Sequence, residues 1–126
     1  MRIGDVAARS GASVRSLRYY EEQGLLESGR STSGQRIYAE EAVERVQLIQ
    51  MLYTAGLPSR RIQELLPCVE TGVSTDHTRA LLLTERERID RQMNELALAR
   101  GKLDEIISIA FDDSQPCAAS KIDKVA

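Results

Sequence analysis

Arg15, Ser16, Arg18 and Tyr19 fall within five consecutive positions, with Ser13 before them and Tyr20 after. Guanidinium forks match guanine edges and phosphate oxygens, and serine or tyrosine hydroxyls reach phosphates, so this segment has the chemistry to recognise double-stranded DNA. A second group, Arg30, Arg36 and Tyr38, flanks a run of small polar residues, and Arg60 follows Pro58-Ser59. Nothing comparable is present for catalysis. A single histidine (His77), no paired carboxylates in a cleft-forming context and no phosphate loop leave no constellation for acid–base or nucleophilic chemistry. No enzyme activity, cofactor or metal is expected.

The first group must be carried by a helix. Ile3 to Arg9 has apolar residues at helical spacing and breaks at Ser10-Gly11, and a second helix begins behind Ser13, whose hydroxyl can cap the first turn. With Val14, Leu17 and Tyr20 turned inward, Arg15, Ser16, Arg18 and Tyr19 face outward. This second helix ends at Gly24. Two short helices around a glycine turn, with Ala7 four residues before Gly11, fit a helix-turn-helix. Leu25-Leu26 and Arg36 to Tyr38 read as two short strands of a hairpin placed as a wing, with Arg30, Arg36 and Tyr38 able to lie along a phosphate backbone. Ala39-Glu40-Glu41 opens a third helix that ends at Gly56, and Arg60 to Leu66 forms a fourth whose N-terminus favours a phosphate.

The chain has 126 residues, one domain's length, and carries a formal net charge of -2, which by itself argues against a nucleic-acid partner. The distribution reverses that inference. Residues up to Arg61 sum to +2 and those after it to -4, while six of the eight glycines and four of the five aromatics precede residue 57. No run of apolar residues is long enough to span a bilayer and no signal-peptide core opens the chain, so a cytoplasmic protein with no membrane partner is expected. Cys68 and Cys117 are too far apart in sequence for a clustered metal site or a disulfide framework.

From Thr75 to Ala110 the pattern is one long helix, about 54 Å at the usual rise. Leu82, Ile89, Met93, Leu96, Leu103 and Ile107 recur at heptad spacing if Arg86 and Arg100 are admitted to the row. A small domain cannot bury such a helix alone, so a partner chain is expected to cover it. A monomer with the helix docked on itself is the alternative.

Ile3-Gly4-Asp5-Val6-Ala7, the segment from Gly11 to Leu26 with Arg18-Tyr19-Tyr20-Glu21 at its centre, and Gly34-Gln35-Arg36-Ile37-Tyr38 closely resemble the N-terminal domain of the MerR family of bacterial transcription regulators. The likeness runs to Leu66. It implies a mainly α fold: a winged helix-turn-helix domain over residues 1–70, a long antiparallel coiled-coil dimerisation helix over 75–110, and a flexible tail over 111–126. It implies a homodimer on an inverted-repeat operator, acting with RNA polymerase at a promoter whose spacer is overlong and is distorted in response to an effector. An effector-independent architectural or repressor dimer is the other reading. The chain departs from metal-sensing relatives, which carry one cysteine just before the long helix and a pair after it. Here Val73-Ser74-Thr75-Asp76-His77 stands before the helix and Cys117 alone follows it. Cys68 is a candidate redox residue or a small buried one, His77 is expected on the surface or in the helix's first turn, and Phe111 is expected to plug the end of the dimer seam.

Overall fold

Val6, Leu17, Leu25, Val46, Ile49 and Ile62, spread along the first half of the chain, are fully buried. Their packing fixes the architecture of a computed structural model that describes residues 1–112. The chain divides into two units, Met1–Glu85 and the residues from Arg86 onward.

In the first unit, α1 (Ile3–Ser10) buries Val6 and ends at Gly11, whose φ of 82° is the left-handed conformation that glycine adopts without penalty. Helix α2 (Val14–Glu22) follows behind Ser13, whose hydroxyl accepts the backbone N–H of Ser16 at 3.0 Å and satisfies one of the donors left open by the first turn. Leu17 and Tyr20 supply its buried face. Strands β1 (Gly29–Arg30) and β2 (Arg36–Ile37) pair antiparallel, Gly29 opposite Ile37 and Arg30 opposite Arg36. Helix α3 (Ala42–Thr54) places Ala42, Val43, Val46 and Ile49 in the core, and α4 (Ser59–Thr71) adds Ile62, Leu65 and Leu66.

Two boundaries differ from the sequence reading. The first wing strand is Gly29–Arg30, not Leu25-Leu26. The two leucines are core residues, and the backbone of Leu25 is already committed: its N–H donates to Tyr20 at 2.9 Å and its carbonyl accepts Arg45 Nε at 2.6 Å. The fourth helix does not stop at Leu66 but passes through Pro67 to Thr71. A proline inside a helix forfeits one hydrogen bond. The turn that follows is nevertheless closed by the Thr71 hydroxyl donating to the Pro67 carbonyl at 2.8 Å, and by Gly72 at φ 71° with its N–H on the Cys68 carbonyl. Cys68 therefore lies within a helix, half-buried, and not at its end.

Helix α5 (Asp76–Ala110) begins behind Thr75, whose hydroxyl accepts the N–H of Thr78 at 3.1 Å. Arg61 of α4 lies 3.1 Å from the Glu64 carboxylate and 3.3 Å from that of Glu85 in α5. Its Nε is close enough to Glu85 for charge attraction but not aligned for a hydrogen bond. His77 is exposed in the first turn of α5.

The second unit is the rest of α5. Among the described residues, the helix buries none of its side chains. Leu82, Met93, Leu96, Leu103 and Ile107 of the predicted row are all exposed, Ile89 is half-covered, and Phe111 beyond the helix is exposed as well. Cys117 and most of the predicted tail lie outside the described residues.

Candidate nucleic-acid interface

Helix α2 presents Arg15, Arg18 and Tyr19 to solvent while Leu17 and Tyr20 hold it to the core. The alternation follows from the 3.6-residue turn: residues 17 and 20 share one face, and 15, 18 and 19 fall on the others. Ser16 is half-exposed at the start of the helix, and the exposed Ser13 donates its hydroxyl proton to Ser16 Oγ at 3.0 Å.

Beside this helix lies the wing. Arg30 in β1 is exposed and its Nη1 donates to the Gly34 carbonyl at 3.0 Å, bracing the hairpin's own tip. Gly34 supports that tip with a φ of 83°. Ile3, Arg18, Glu21, Glu22, Arg30 and Arg36 line a polar cleft of about 560 Å³ between α1, α2 and the wing. Three guanidiniums from two elements thus border one concavity.

The three remaining residues of the sequence prediction are placed differently from one another. Arg60 is exposed in the first turn of α4. Tyr20, which the helical spacing turns inward, and Tyr38, which was expected on the wing's surface, are only 8% and 2% exposed, so neither joins the DNA-facing set. Without tryptophan and with one phenylalanine in the chain, tyrosine rings must fill the core. Tyr20 stacks on Tyr53 with ring centroids 5.6 Å apart. Burial pushes its hydroxyl above the usual tyrosine range, with the neighbouring Tyr53 adding to the effect. Tyr38 donates its hydroxyl proton to Glu21 Oε1 and exchanges backbone hydrogen bonds with Met1, at 2.7 Å and 3.0 Å. Burial first, and then the bond to Glu21, push the Tyr38 hydroxyl up to about 12.

Two residues that sequence reasoning passed over belong to this surface. Tyr53, at the end of α3, forms a hydrogen bond with the Ser59 hydroxyl at the start of α4, and the half-exposed Tyr19 reaches the same Ser59 Oγ at 3.4 Å. Tyr19, Tyr53 and Ser59 therefore gather three hydroxyls where α2 meets the N-terminus of α4, next to Arg60. The available signal was the position of Tyr53, six residues before Ser59 across a Gly-Leu-Pro turn. Glu21 is the other: its carboxylate accepts Tyr38 and lies 2.9 Å from Arg36 Nη1. Among the described residues, no group of three or more His, Cys, Asp or Glu is placed to hold a metal ion.

The comparisons agree with this geometry. Residues 1–67 match the family model described as MerR HTH family regulatory protein. The chain is 30% identical over 118 residues to the HTH-type transcriptional regulator HmrR of Rhizobium leguminosarum, covering 92% of this chain and 91% of that protein. The nodulation protein NolA of Bradyrhizobium elkanii, 34% identical over 103 residues, is longer: the match covers 81% of this chain and 44% of that protein. A MerR family regulator from Listeria monocytogenes superposes with a TM-score of 0.78 at 24% identity, over 90% of this chain and 87% of that one. HiNmlR, described as a MerR family regulator lacking the sensor domain and bound to promoter DNA, gives a TM-score of 0.73 at 22% identity, over 86% and 88%. Helix-turn-helix, wing and long C-terminal helix together carry the same assignment as the sequence match: the chain belongs to the MerR family and is a DNA-binding transcriptional regulator.

Proposed function

We propose that two copies of this chain pair through α5 and present two α2 helices to an inverted-repeat operator, where they reshape the promoter spacer for RNA polymerase in response to an effector. The observation that carries the reading is the exposed α2 face of Arg15, Arg18 and Tyr19, flanked by a wing whose Arg30 borders the same cleft. Guanidiniums on the helix can read base edges while wing and α4 contacts fix the register on the backbone. In this reading Ser13, Ser16, Arg60, Tyr19 and the Tyr53-Ser59 hydroxyls would serve phosphates. The uncovered apolar row of α5 supports pairing, since a small domain rarely leaves so many large apolar side chains in water. Distorting a promoter costs several kcal/mol, drawn from these phosphate contacts.

The test is protection of a dyad upstream of its own or a neighbouring gene, with Arg18→Ala weakening binding by about 1 to 3 kcal/mol. No dyad protection at moderate salt would remove the proposal, and unchanged binding by Arg18→Ala would remove α2 as the reading element.

An effector-independent DNA-binding dimer is the second reading. It is favoured by the absence of a metal-ligand cluster among the described residues and by the likeness to HiNmlR, a regulator described as lacking a sensor domain. A reporter that stays constant through metal, thiol-reactive and small-molecule challenge would decide for it.

A further inference from the structure

Glu21 stands in the last turn of α2, one turn beyond Arg18, and its side chain is only 15% exposed. A carboxylate that far withdrawn from water needs partners for its oxygens. Both come from the wing. Oε2 lies 2.9 Å from Arg36 Nη1, and Oε1 accepts the Tyr38 hydroxyl. Arg36 and Tyr38 are two residues apart on extended chain, so their side chains leave the same face of the strand and can close on one carboxylate. Tyr38 is in turn fixed by its backbone bonds to Met1 and by burial of its ring. A recognition helix and a wing that must reach adjacent parts of one duplex are thereby tied at a single side chain.

We infer that Glu21 is a positioning residue that sets the wing against α2, and that Arg36 serves Glu21 and not a DNA phosphate. The inference rests on the DNA-reading function proposed above. An arginine whose charge is already matched by a carboxylate 2.9 Å away releases little counterion when it nears a phosphate. The wing's charge for the backbone is then Arg30, whose guanidinium is not in an ion pair among the described residues and is held only to the Gly34 carbonyl of its own hairpin.

Two measurements on the full chain test this. The first uses free protein: hydrogen exchange of the wing amides of Ser31, Gly34 and Tyr38, which are hydrogen-bonded in the folded protein. Glu21→Gln keeps an acceptor for the Tyr38 hydroxyl but cancels the charge facing Arg36. It should speed exchange at these amides roughly fivefold, as should Arg36→Ala, with no further gain in the double substitution, as expected of a partly exposed ion pair. The second is the salt dependence of binding to a duplex taken from the promoter upstream of the protein's own gene. A true phosphate contact contributes a slope of about 0.9 per charge. Arg36→Ala should lower affinity several-fold and leave the slope unchanged, whereas Arg18→Ala and Arg30→Ala should flatten it. Wing exchange untouched by Glu21→Gln, or a slope flattened by about 0.9 in Arg36→Ala, would overturn the inference. If the wild-type chain bound no promoter duplex, the DNA-reading proposal would fall, while the exchange experiment would still decide the role of Glu21.

Discussion

Replacing Leu96 by alanine probes the α5 row where a partner has most to cover. Leu96 is 70% exposed, against 57% for Leu103 and 42% for Leu82. Fully burying a leucine side chain contributes about 1.5 to 3 kcal/mol, and alanine keeps only a small part of that. With seven-tenths of the side chain available to a partner, the substitution should remove about 1 to 2 kcal/mol per copy. In a two-fold symmetric dimer each change occurs twice, so the interface should lose about 2 to 4 kcal/mol. That corresponds to a dimer dissociation constant weakened by a factor on the order of 30 to 1,000. Alanine is at least as good a helix former as leucine, so the loss would not come from a weakened helix. Leu98→Ala is the control: Leu98 is 74% exposed but lies off the heptad row, and its substitution should shift dimerisation less than tenfold. Sedimentation equilibrium of the three proteins reads the difference directly. A wild-type chain that is monomeric at tens of micromolar would refute the pairing, and equal effects at Leu96 and Leu98 would refute the row.

Gly24 has a φ of +72°, and a Cβ there would sit 2.8 Å from Gln63 Nε2, the donor to the Gln23 carbonyl. Gly24→Ala should therefore destabilise the N-terminal unit by about 1 to 2 kcal/mol, through backbone strain and displacement of that bond, read as a lower urea midpoint at unchanged slope. An unchanged midpoint would show that the turn relaxes freely. The Tyr38 hydroxyl, pushed up to about 12, keeps its proton in the folded chain after the unfolded chain has released its own near 10. Stability contributed by Tyr38 is thus complete below pH 10 and is lost as pH rises toward 12. Tyr38→Phe should flatten, though not abolish, the alkaline fall in urea midpoint, since burial also raises Tyr20 and Tyr53.

The first two helices were legible because their caps and apolar spacing agree: Gly11 after α1 and Ser13 before Val14. The misplaced strand has a physical cause. Leu25-Leu26 has the more strand-like composition, but its burial serves the core, and the actual pair, Gly-Arg against Arg-Ile, is too short and too exposed to show any alternation. Pro67 read as a helix end because local geometry disfavours it, whereas α4 continues with Gly72 and Thr71 closing its last turn. The basic α2 face was readable from a single helical period. Its supports were not, because Glu21 meets Arg36 and Tyr38 across 15 and 17 positions, and Tyr53 meets Tyr20 across 33, separations that no local pattern encodes.

The tyrosine arrangement also decides what light can report about this protein. All four tyrosines lie in Met1–Glu85, there is no tryptophan, and the single phenylalanine, Phe111, absorbs too weakly to compete. Near-ultraviolet absorbance and fluorescence therefore see only the N-terminal unit. Tyr19, half-exposed and 6.4 Å from both Tyr20 and Tyr53, would couple an approaching ligand to the stacked pair beneath it. Far-ultraviolet ellipticity, by contrast, also sees the 35 residues of α5, which contain no tyrosine. Thermal transitions that coincide in the two signals would show that α5 melts with the N-terminal unit, and transitions that separate would assign each its own midpoint without a single introduced label.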